Sequence, residues 1–140
     1  MKKIQKNKLS ELQHLLSIKE MNVSLIKDIF IRADKFLTNN QSISKYDFLQ
    51  GKTICNLFFE NSTRTQTTFE IAAKRLSADV INLDIATSSQ SKGESILDLI
   101  NNLIAMGVNI FVVRHSKPGI PAQIARNIKN KAHIINAGDG

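Results

Sequence analysis

The 140-residue sequence predicts an α/β fold in which a four-stranded, doubly wound parallel sheet is flanked by helices. Short runs of β-favouring apolar residues alternate with segments whose apolar residues recur at helical spacing, and four such runs occur. The first run is almost continuously apolar, which is typical of a strand covered on both faces. The chain has the usual size of one domain, so we expect one compact unit over residues 1–140.

The elements are predicted in order from the amino terminus. The spacing of Leu9 to Leu16 and the stronger pattern from Leu25 to Leu37, which begins after Asn22, predict two N-terminal helices. The polar segment 38–50 breaks this period and is interpreted as a connector. The predicted strands are 53–59, 80–83, 109–113 and 133–136; the helices between them are 65–76, 96–104 with Gly107 after it, and one from Pro121 to near Lys129.

Charge and cysteine content narrow the class of protein. The net charge is +7, and Lys2, Lys3, Lys6 and Lys8 contribute four of these charges, so residues 1–21 are interpreted as a basic, solvated N-terminal extension. The single cysteine, Cys55, excludes a disulfide framework within this chain and fits a reducing cytoplasm. No stretch approaches the ~20 apolar residues of a membrane span, and the charged start lacks a signal-peptide core, so we expect a soluble, cytoplasmic protein.

The predicted topology also indicates where a ligand binds. Ligands of open α/β sheets bind beyond the carboxyl ends of the strands, where loops meet helix N-termini. The candidate segments are therefore the ones that follow each predicted strand, namely 60–66, 84–93, 114–119 and 137–140.

Ser62-Thr63-Arg64-Thr65 lies between the first predicted strand and its helix. Free backbone N–H groups, the helix dipole, hydroxyls and a guanidinium together can hold an oxyanion such as phosphate. The alternative is a plain helix cap, in which Ser62 or Thr63 accepts a backbone N–H and Arg64 points into solvent. Arg114 presents a similar choice, since an arginine at the end of a strand either reaches the ligand edge of the sheet or reaches solvent.

A wider pattern favours phosphate binding. The run from Phe58 to Glu70, FFENSTRTQTTFE, resembles the phosphate-binding signature of the aspartate and ornithine carbamoyltransferases. The resemblance continues at Ser88, at Lys92-Gly93-Glu94, at Val113-Arg114-His115 and at residues 135–140, and it covers roughly residues 22–140. The Lys-Gly-Glu loop and the final Asn-Ala-Gly-Asp-Gly are similar to the aspartate enzymes rather than to the ornithine enzymes.

Two positions depart from this family's pattern. Gln66 stands where the family usually has arginine, and Leu99 stands where threonine usually follows the aspartate at Asp98. The lost positive charge at Gln66 is expected to weaken the local field on the phosphate or to change how the loop is braced.

The resemblance implies a role for each matched residue. The phosphate of carbamoyl phosphate would be bound by Ser62, Thr63, Arg64 and Thr65, and its carbonyl oxygen would be contacted by Thr65 and Arg114. Ser88 and Lys92 would reach into the active site of the neighbouring subunit, which implies a homotrimer with shared sites. The catalytic set implied in this way is Arg64, Thr65, Lys92 and Arg114.

The activity implied is aspartate carbamoyltransferase, which transfers the carbamoyl group of carbamoyl phosphate to the amine of L-aspartate in pyrimidine biosynthesis. We expect no metal and no cofactor, because carbamoyl phosphate is already activated and no set of paired metal ligands is visible. The resemblance also allows a regulatory chain as a partner. It places a further carbonyl-binding histidine and the aspartate-binding domain beyond Gly140, so these 140 residues are expected to be inactive alone.

Two other functions are alternatives to aspartate carbamoyltransferase. Ornithine carbamoyltransferase is the alternative within the enzyme class. A basic nucleic-acid-binding module is the alternative from another class, but the seven Phe and one Tyr fall mostly at predicted core positions and leave no row for base stacking. We assign structural or positioning roles, rather than proton transfer, to Glu60, His115 and Asp139.

Overall fold

The structure is a computed structural model that describes residues 8–37, 44–85 and 95–140. Within these ranges, four helices and four strands follow two single 3₁₀ turns at Leu9–Glu11 and Ile18–Glu20. In chain order the elements are α1 (Val23–Asp34), β1 (Thr53–Phe58), α2 (Thr63–Arg75), β2 (Asp79–Asp84), α3 (Ile96–Ala105), β3 (Val108–His115), α4 (Ile120–Ile128) and β4 (His133–Asp139).

The strands form one parallel sheet with the order β2-β1-β3-β4. Helix α2 packs against one face, where Ala73 and Phe69 meet Ile54 and Val112. Helices α3 and α4 pack against the other face, where their apolar side chains meet Leu57 and other β1, β3 and β4 residues. The predicted doubly wound α/β sheet is therefore confirmed, and β1 is buried along almost its whole length.

Strand order places a crevice between β1 and β3. The chain leaves β1 toward β2 on one side and leaves β3 toward β4 on the other, so the two loops diverge at the carboxyl edge. Such a switch point is where open α/β sheets bind their ligands. The fold therefore brings the segments after Phe58 and after Arg114 to the two walls of one opening.

One predicted helix is wrong. Only Leu9–Glu11 turns, as a short 3₁₀ segment, and the chain then runs extended beside β4. Leu15 N–H donates to the Ile134 carbonyl at 2.8 Å, and Asn136 N–H donates to the Leu15 carbonyl at 2.9 Å. The open backbone groups of an edge strand need partners, and this demand overrides the helical spacing of the leucines. Helix α1, predicted to begin after Asn22, is confirmed.

Helices α1, α3 and α4 begin in two different ways. The Asn22 side chain accepts the Leu25 N–H at 2.7 Å, and the Ser95 hydroxyl accepts the Asp98 N–H at 3.1 Å, so α1 and α3 are conventionally capped. Helix α4 begins after Gly119, which adopts the left-handed conformation at φ 82°, and Pro121 lies in its first turn as predicted.

The aromatic residues are less buried than the sequence predicts. Phe58 and Phe111 are in the core, but Phe30, Phe36 and Phe48 are exposed. Phe36 and Phe48 do not form a row; both pack on Tyr46, edge-on at 5.1 Å and stacked at 5.6 Å between ring centroids. Helix α1 buries only Leu25, so Phe30 lies on its exposed surface, while Phe36 and Phe48 lie outside that helix. Within the described ranges, no helix has the length and apolarity needed to cross a bilayer.

Candidate active site

Two of the predicted binding segments meet at the switch point. Ser62 to Thr65 form the N-terminus of α2 directly after β1, and Arg114 lies near the carboxyl end of β3. Arg114 pairs in register with Phe58, and its carbonyl accepts the Phe59 N–H at 2.9 Å. Strand alternation places Arg114 on the same face as Val112, which is the face that α2 covers. The other two predicted residues, Ser88 and Lys92, lie outside the described residues.

The N-terminus of α2 is not capped by a side chain. Ser62 occupies the capping position, yet its hydroxyl donates to the Thr65 hydroxyl at 2.9 Å instead of accepting a backbone N–H. The first helical hydrogen bond joins Gln66 N–H to the Ser62 carbonyl at 3.0 Å. The N–H groups of Thr63, Arg64 and Thr65 therefore have no intrahelical acceptor. The capping hydrogen bond of the alternative is not formed, although Arg64 is exposed as that alternative predicted. The free N–H groups lie at the positive end of a helix dipole.

Arg64 adds a formal charge to this array. Its side chain is exposed, and among the described residues no carboxylate forms an ion pair with it. Its backbone is held in the first turn, where its carbonyl accepts the Thr68 hydroxyl at 2.8 Å. A guanidinium held at an open helix N-terminus can donate two parallel hydrogen bonds to a phosphate group.

Arg114 is held much more tightly than Arg64. Its Nη2 lies 2.6 Å from Glu60 Oε1, its Nη1 donates to the Ala137 carbonyl at 3.0 Å, and 27% of its side chain is exposed. Its Nε is enclosed and has no hydrogen-bond partner in the part of the chain that the structure describes. The positioning role expected for Glu60 agrees with this contact, since the carboxylate fixes one end of the guanidinium.

His115 points to the other face of β3. Its Nδ1 accepts the Lys117 N–H at 2.8 Å, and its ring lies against Phe59 with centroids 5.0 Å apart. Burial first, and the nearby Lys117 charge second, lower its pKa below the ordinary value, so the ring is neutral near pH 7. These contacts agree with the structural role predicted from the sequence.

Asp139 braces the end of β4. The Asn136 amide and the Gly119 N–H donate to its two carboxylate oxygens, at 2.9 and 2.8 Å, and these bonds lower its pKa below the ordinary value. A carboxyl group with a lowered pKa in the folded state stabilises the fold above its unfolded pKa of ~3.9, and this contribution is lost as the pH falls through the folded pKa.

We therefore expect Asp139→Asn to lower the free energy of unfolding at pH 7 and to lower it much less at pH 3. Urea unfolding of both proteins at the two pH values measures this difference. Asp79→Asn is the matched control, because Asp79 is an exposed strand residue. An equal effect of Asp139→Asn at both pH values would contradict the assignment.

The sequence did not reveal that Ala137 and Gly138 hold the Arg114 guanidinium. The Ala137 carbonyl accepts its Nη1–H, and Gly138 lies against the guanidinium. The available signal was a glycine inside a strand pattern, which often marks the close approach of another group. No group of three or more His, Cys, Asp or Glu side chains in the described ranges is arranged to hold a metal ion.

The fold and this crevice define a doubly wound α/β domain with free backbone N–H donors at its switch point, an arrangement typical of anion-binding sites. Comparison with known families identifies it further. The model of the aspartate/ornithine carbamoyltransferase carbamoyl-phosphate-binding domain matches residues 13–140, and the chain belongs to that family. The match begins before residue 22, where the sequence resemblance was expected to start, because residues 13–16 are tied to β4 and are part of the domain.

Solved structures give the same result. The catalytic subunit of M. jannaschii aspartate transcarbamoylase is 35% identical, with a TM-score of 0.81 over 92% of this chain. Trypanosoma cruzi aspartate transcarbamoylase in complex with aspartate and phosphate is 28% identical over 91% of the chain, with a TM-score of 0.79. Thermus thermophilus ornithine carbamoyltransferase has the same fold, with a TM-score of 0.78 over 91% of the chain at 23% identity. The chain spans 42%, 40% and 42% of these proteins, respectively.

Proposed function

We propose that this chain is the carbamoyl-phosphate-binding part of an aspartate carbamoyltransferase. The observation that carries the proposal is the uncapped N-terminus of α2, with Arg64 in its first turn, beside Arg114 at the switch point of the sheet. In the full-length protein, the amine of L-aspartate would attack carbamoyl phosphate and give N-carbamoyl-L-aspartate and phosphate.

The geometry supports a division of labour within the site. The free N–H groups of the first turn, the hydroxyls of Ser62, Thr63 and Thr65, and the Arg64 guanidinium would surround the phosphate. Arg114 and Thr65 would face the carbonyl oxygen, where negative charge develops as the amine adds to the carbon. Preorganised donors at such an oxygen are each typically worth ~10²–10³ in rate. The helix N-terminus would then stabilise the departing phosphate.

Aspartate is preferred to ornithine as the second substrate. The M. jannaschii aspartate enzyme is 35% identical to this chain, whereas the T. thermophilus ornithine enzyme is 23% identical. The Lys92-Gly93-Glu94 loop and the Asn-Ala-Gly-Asp-Gly segment at residues 136–140 support the same choice from the sequence. The proposed pathway is pyrimidine biosynthesis, in the cytoplasm.

The proposed assembly is a homotrimer. Ser88 and Lys92 lie in the polar stretch of sequence after β2, and we propose that they complete the site of a neighbouring subunit. This interpretation rests on the family resemblance of that stretch.

Replacement of Arg64 tests the phosphate site directly. Hydrogen bonds to charged groups contribute ~1.5–3 kcal/mol, so Arg64→Ala is expected to weaken inorganic phosphate and carbamoyl phosphate binding at least tenfold. Calorimetry on the 140-residue chain measures both affinities.

Arg75→Ala is the matched control for this experiment. Arg75 is an exposed arginine in the last turn of the same helix, so its removal changes the net charge equally without touching the crevice. Binding should persist in Arg75→Ala. Equal phosphate affinity in wild type and Arg64→Ala would reject the site, and equal losses in both variants would indicate a non-specific charge effect.

A further inference from the structure

The last four residues of β4, Asn136 to Asp139, are braced by their own side chains. Asn136 Oδ1 accepts the Gly138 N–H at 2.9 Å, and its Nδ2 donates to Asp139 Oδ1 at 2.9 Å and to the Leu16 carbonyl at 3.1 Å. Asp139 Oδ2 accepts the Gly119 N–H at 2.8 Å. This end of β4 is thus tied both to the N-terminal segment and to the start of α4, which restricts the movement of its backbone.

The guanidinium of Arg114 lies directly on this end of β4. A Cβ atom added to Gly138 would be in hard contact with Nη1 and 3.2 Å from Cζ of Arg114. Gly138 also has φ 135°, a conformation that residues with a side chain rarely adopt. The hydrogen bond to the Ala137 carbonyl and the ion pair with the Glu60 carboxylate fix the plane of the guanidinium.

The fixed plane decides which donors remain for a ligand. A guanidinium carries five N–H donors, and the contacts with Glu60 and Ala137 use one from each terminal nitrogen. The enclosed Nε–H lacks an acceptor within the described ranges, and a buried donor without a partner is uncommon in folded proteins. The remaining donors of Arg114 are therefore oriented in advance.

We propose that Gly138 is a positioning residue, which seats the Arg114 guanidinium so that its free N–H groups are aimed at the carbonyl group of carbamoyl phosphate. This inference rests on the proposed function and assigns the two parts of carbamoyl phosphate to two different parts of the site. Phosphate is held by the N-terminus of α2, whereas recognition of the carbamoyl group depends on residues 136–139 of β4, which act through Arg114. The two parts of the ligand should then be separable by substitution.

Gly138→Ala is the direct test, in the 140-residue chain, with two probes. Phosphonoacetamide retains the carbamoyl carbonyl and replaces the bridging oxygen with a methylene group, while inorganic phosphate has no carbonyl. The variant is expected to bind phosphonoacetamide about tenfold more weakly, since the hydrogen bonds of a charged group are misdirected, and to bind phosphate within twofold of wild type.

Gly107→Ala is the matched control. Gly107 also has a positive φ, of 98°, but its added Cβ would meet nothing within 4 Å. Backbone strain alone would therefore affect both variants, whereas loss of phosphonoacetamide affinity should be confined to Gly138→Ala. In an Arg114→Lys background, Gly138→Ala should have little additional effect, because the residue through which it acts has been changed.

Wild-type protein provides a measurement that does not depend on the folding of Gly138→Ala. The Arg114 Nε–H signal, assigned by its loss in Arg114→Lys, should exchange with solvent more slowly than that of exposed Arg75. It should shift on addition of phosphonoacetamide and not on addition of phosphate. Fast exchange, or undiminished phosphonoacetamide affinity in folded Gly138→Ala, would overturn the inference. Failure of wild type to bind either probe would instead reject the proposed function.

Discussion

In the full-length protein, an equal mixture of Arg64→Ala and Lys92→Ala chains is expected to recover about a quarter of wild-type activity, although each variant alone is nearly inactive. Each site of the proposed trimer would use Arg64 from its own chain and Lys92 from a neighbour. A site is intact when its own chain carries Lys92→Ala and its neighbour carries Arg64→Ala. Each condition holds for half of the chains after random reassembly, so about a quarter of the sites have neither defect.

The matched control mixes Arg64→Ala with Arg114→Ala. The structure places these two arginines at one switch point of the same chain, so every site in such a mixture carries one of the two defects. No activity should return. Recovery in the first mixture and not in the second would show that Lys92 acts across a subunit boundary. No recovery in the first mixture would indicate that Lys92 acts within its own chain or has no role in catalysis.

The sequence predicted the sheet and its helices because each strand and helix has one dominant local signal. The run 53–59 is buried as β1, and the apolar spacing after Ser95 gives α3 with Gly107 just beyond it. The helix predicted from Leu9 to Leu16 does not form, although its leucines have helical spacing. What decides their conformation is the exposed edge of β4, a partner about 120 residues away along the chain that local spacing cannot reveal.

One polar residue inside β1 shows the same limit. Asn56 is fully buried in an otherwise apolar strand, and its Nδ2 donates to Asn82 on β2 at 2.8 Å. Asn82 in turn donates to Glu70 on α2 at 2.8 Å. A buried amide donor costs free energy unless it is hydrogen-bonded, so the Asn56 Nδ2 depends on Asn82 and, through Asn82, on α2. The Asn56 Oδ1 has no hydrogen-bond partner among the described residues. The sequence shows its position in the strand, but its partners follow only from the strand register.

The candidate site was predictable in its parts and not in its arrangement. The strand–loop–helix position of Ser62 to Thr65 indicated an oxyanion site, but equally allowed a helix cap. The choice depends on the direction of one hydroxyl, that of Ser62, which turns to Thr65. The placement of Arg114 likewise depends on Glu60, after β1, and on Ala137 and Gly138, in β4, which meet only in the folded sheet.

Purified alone, the 140-residue chain is expected to form no carbamoyl aspartate above a protein-free control, even though it binds carbamoyl phosphate. Its sequence corresponds to 42% of the M. jannaschii catalytic subunit, and the family resemblance assigns aspartate binding to the other part of the enzyme. Bringing two substrates together in reactive geometry accounts for ~7–11 kcal/mol of a barrier, and that contribution would be missing. The resemblance also assigns a carbonyl-binding histidine to that other part, and the loss of one such donor typically costs ~10²–10³ in rate.

The assay incubates the purified chain with carbamoyl phosphate and L-aspartate and measures carbamoyl aspartate over time. Calorimetric binding of phosphate by the same preparation shows that the protein is folded and that its first site is open. The full-length protein provides the positive control, and the Arg64→Ala chain separates any site-dependent product from the spontaneous reaction. Product formation that saturates with L-aspartate and disappears in Arg64→Ala would show that these 140 residues suffice for transfer. Aspartate binding would then have to be sought within this domain, beside the crevice between β1 and β3.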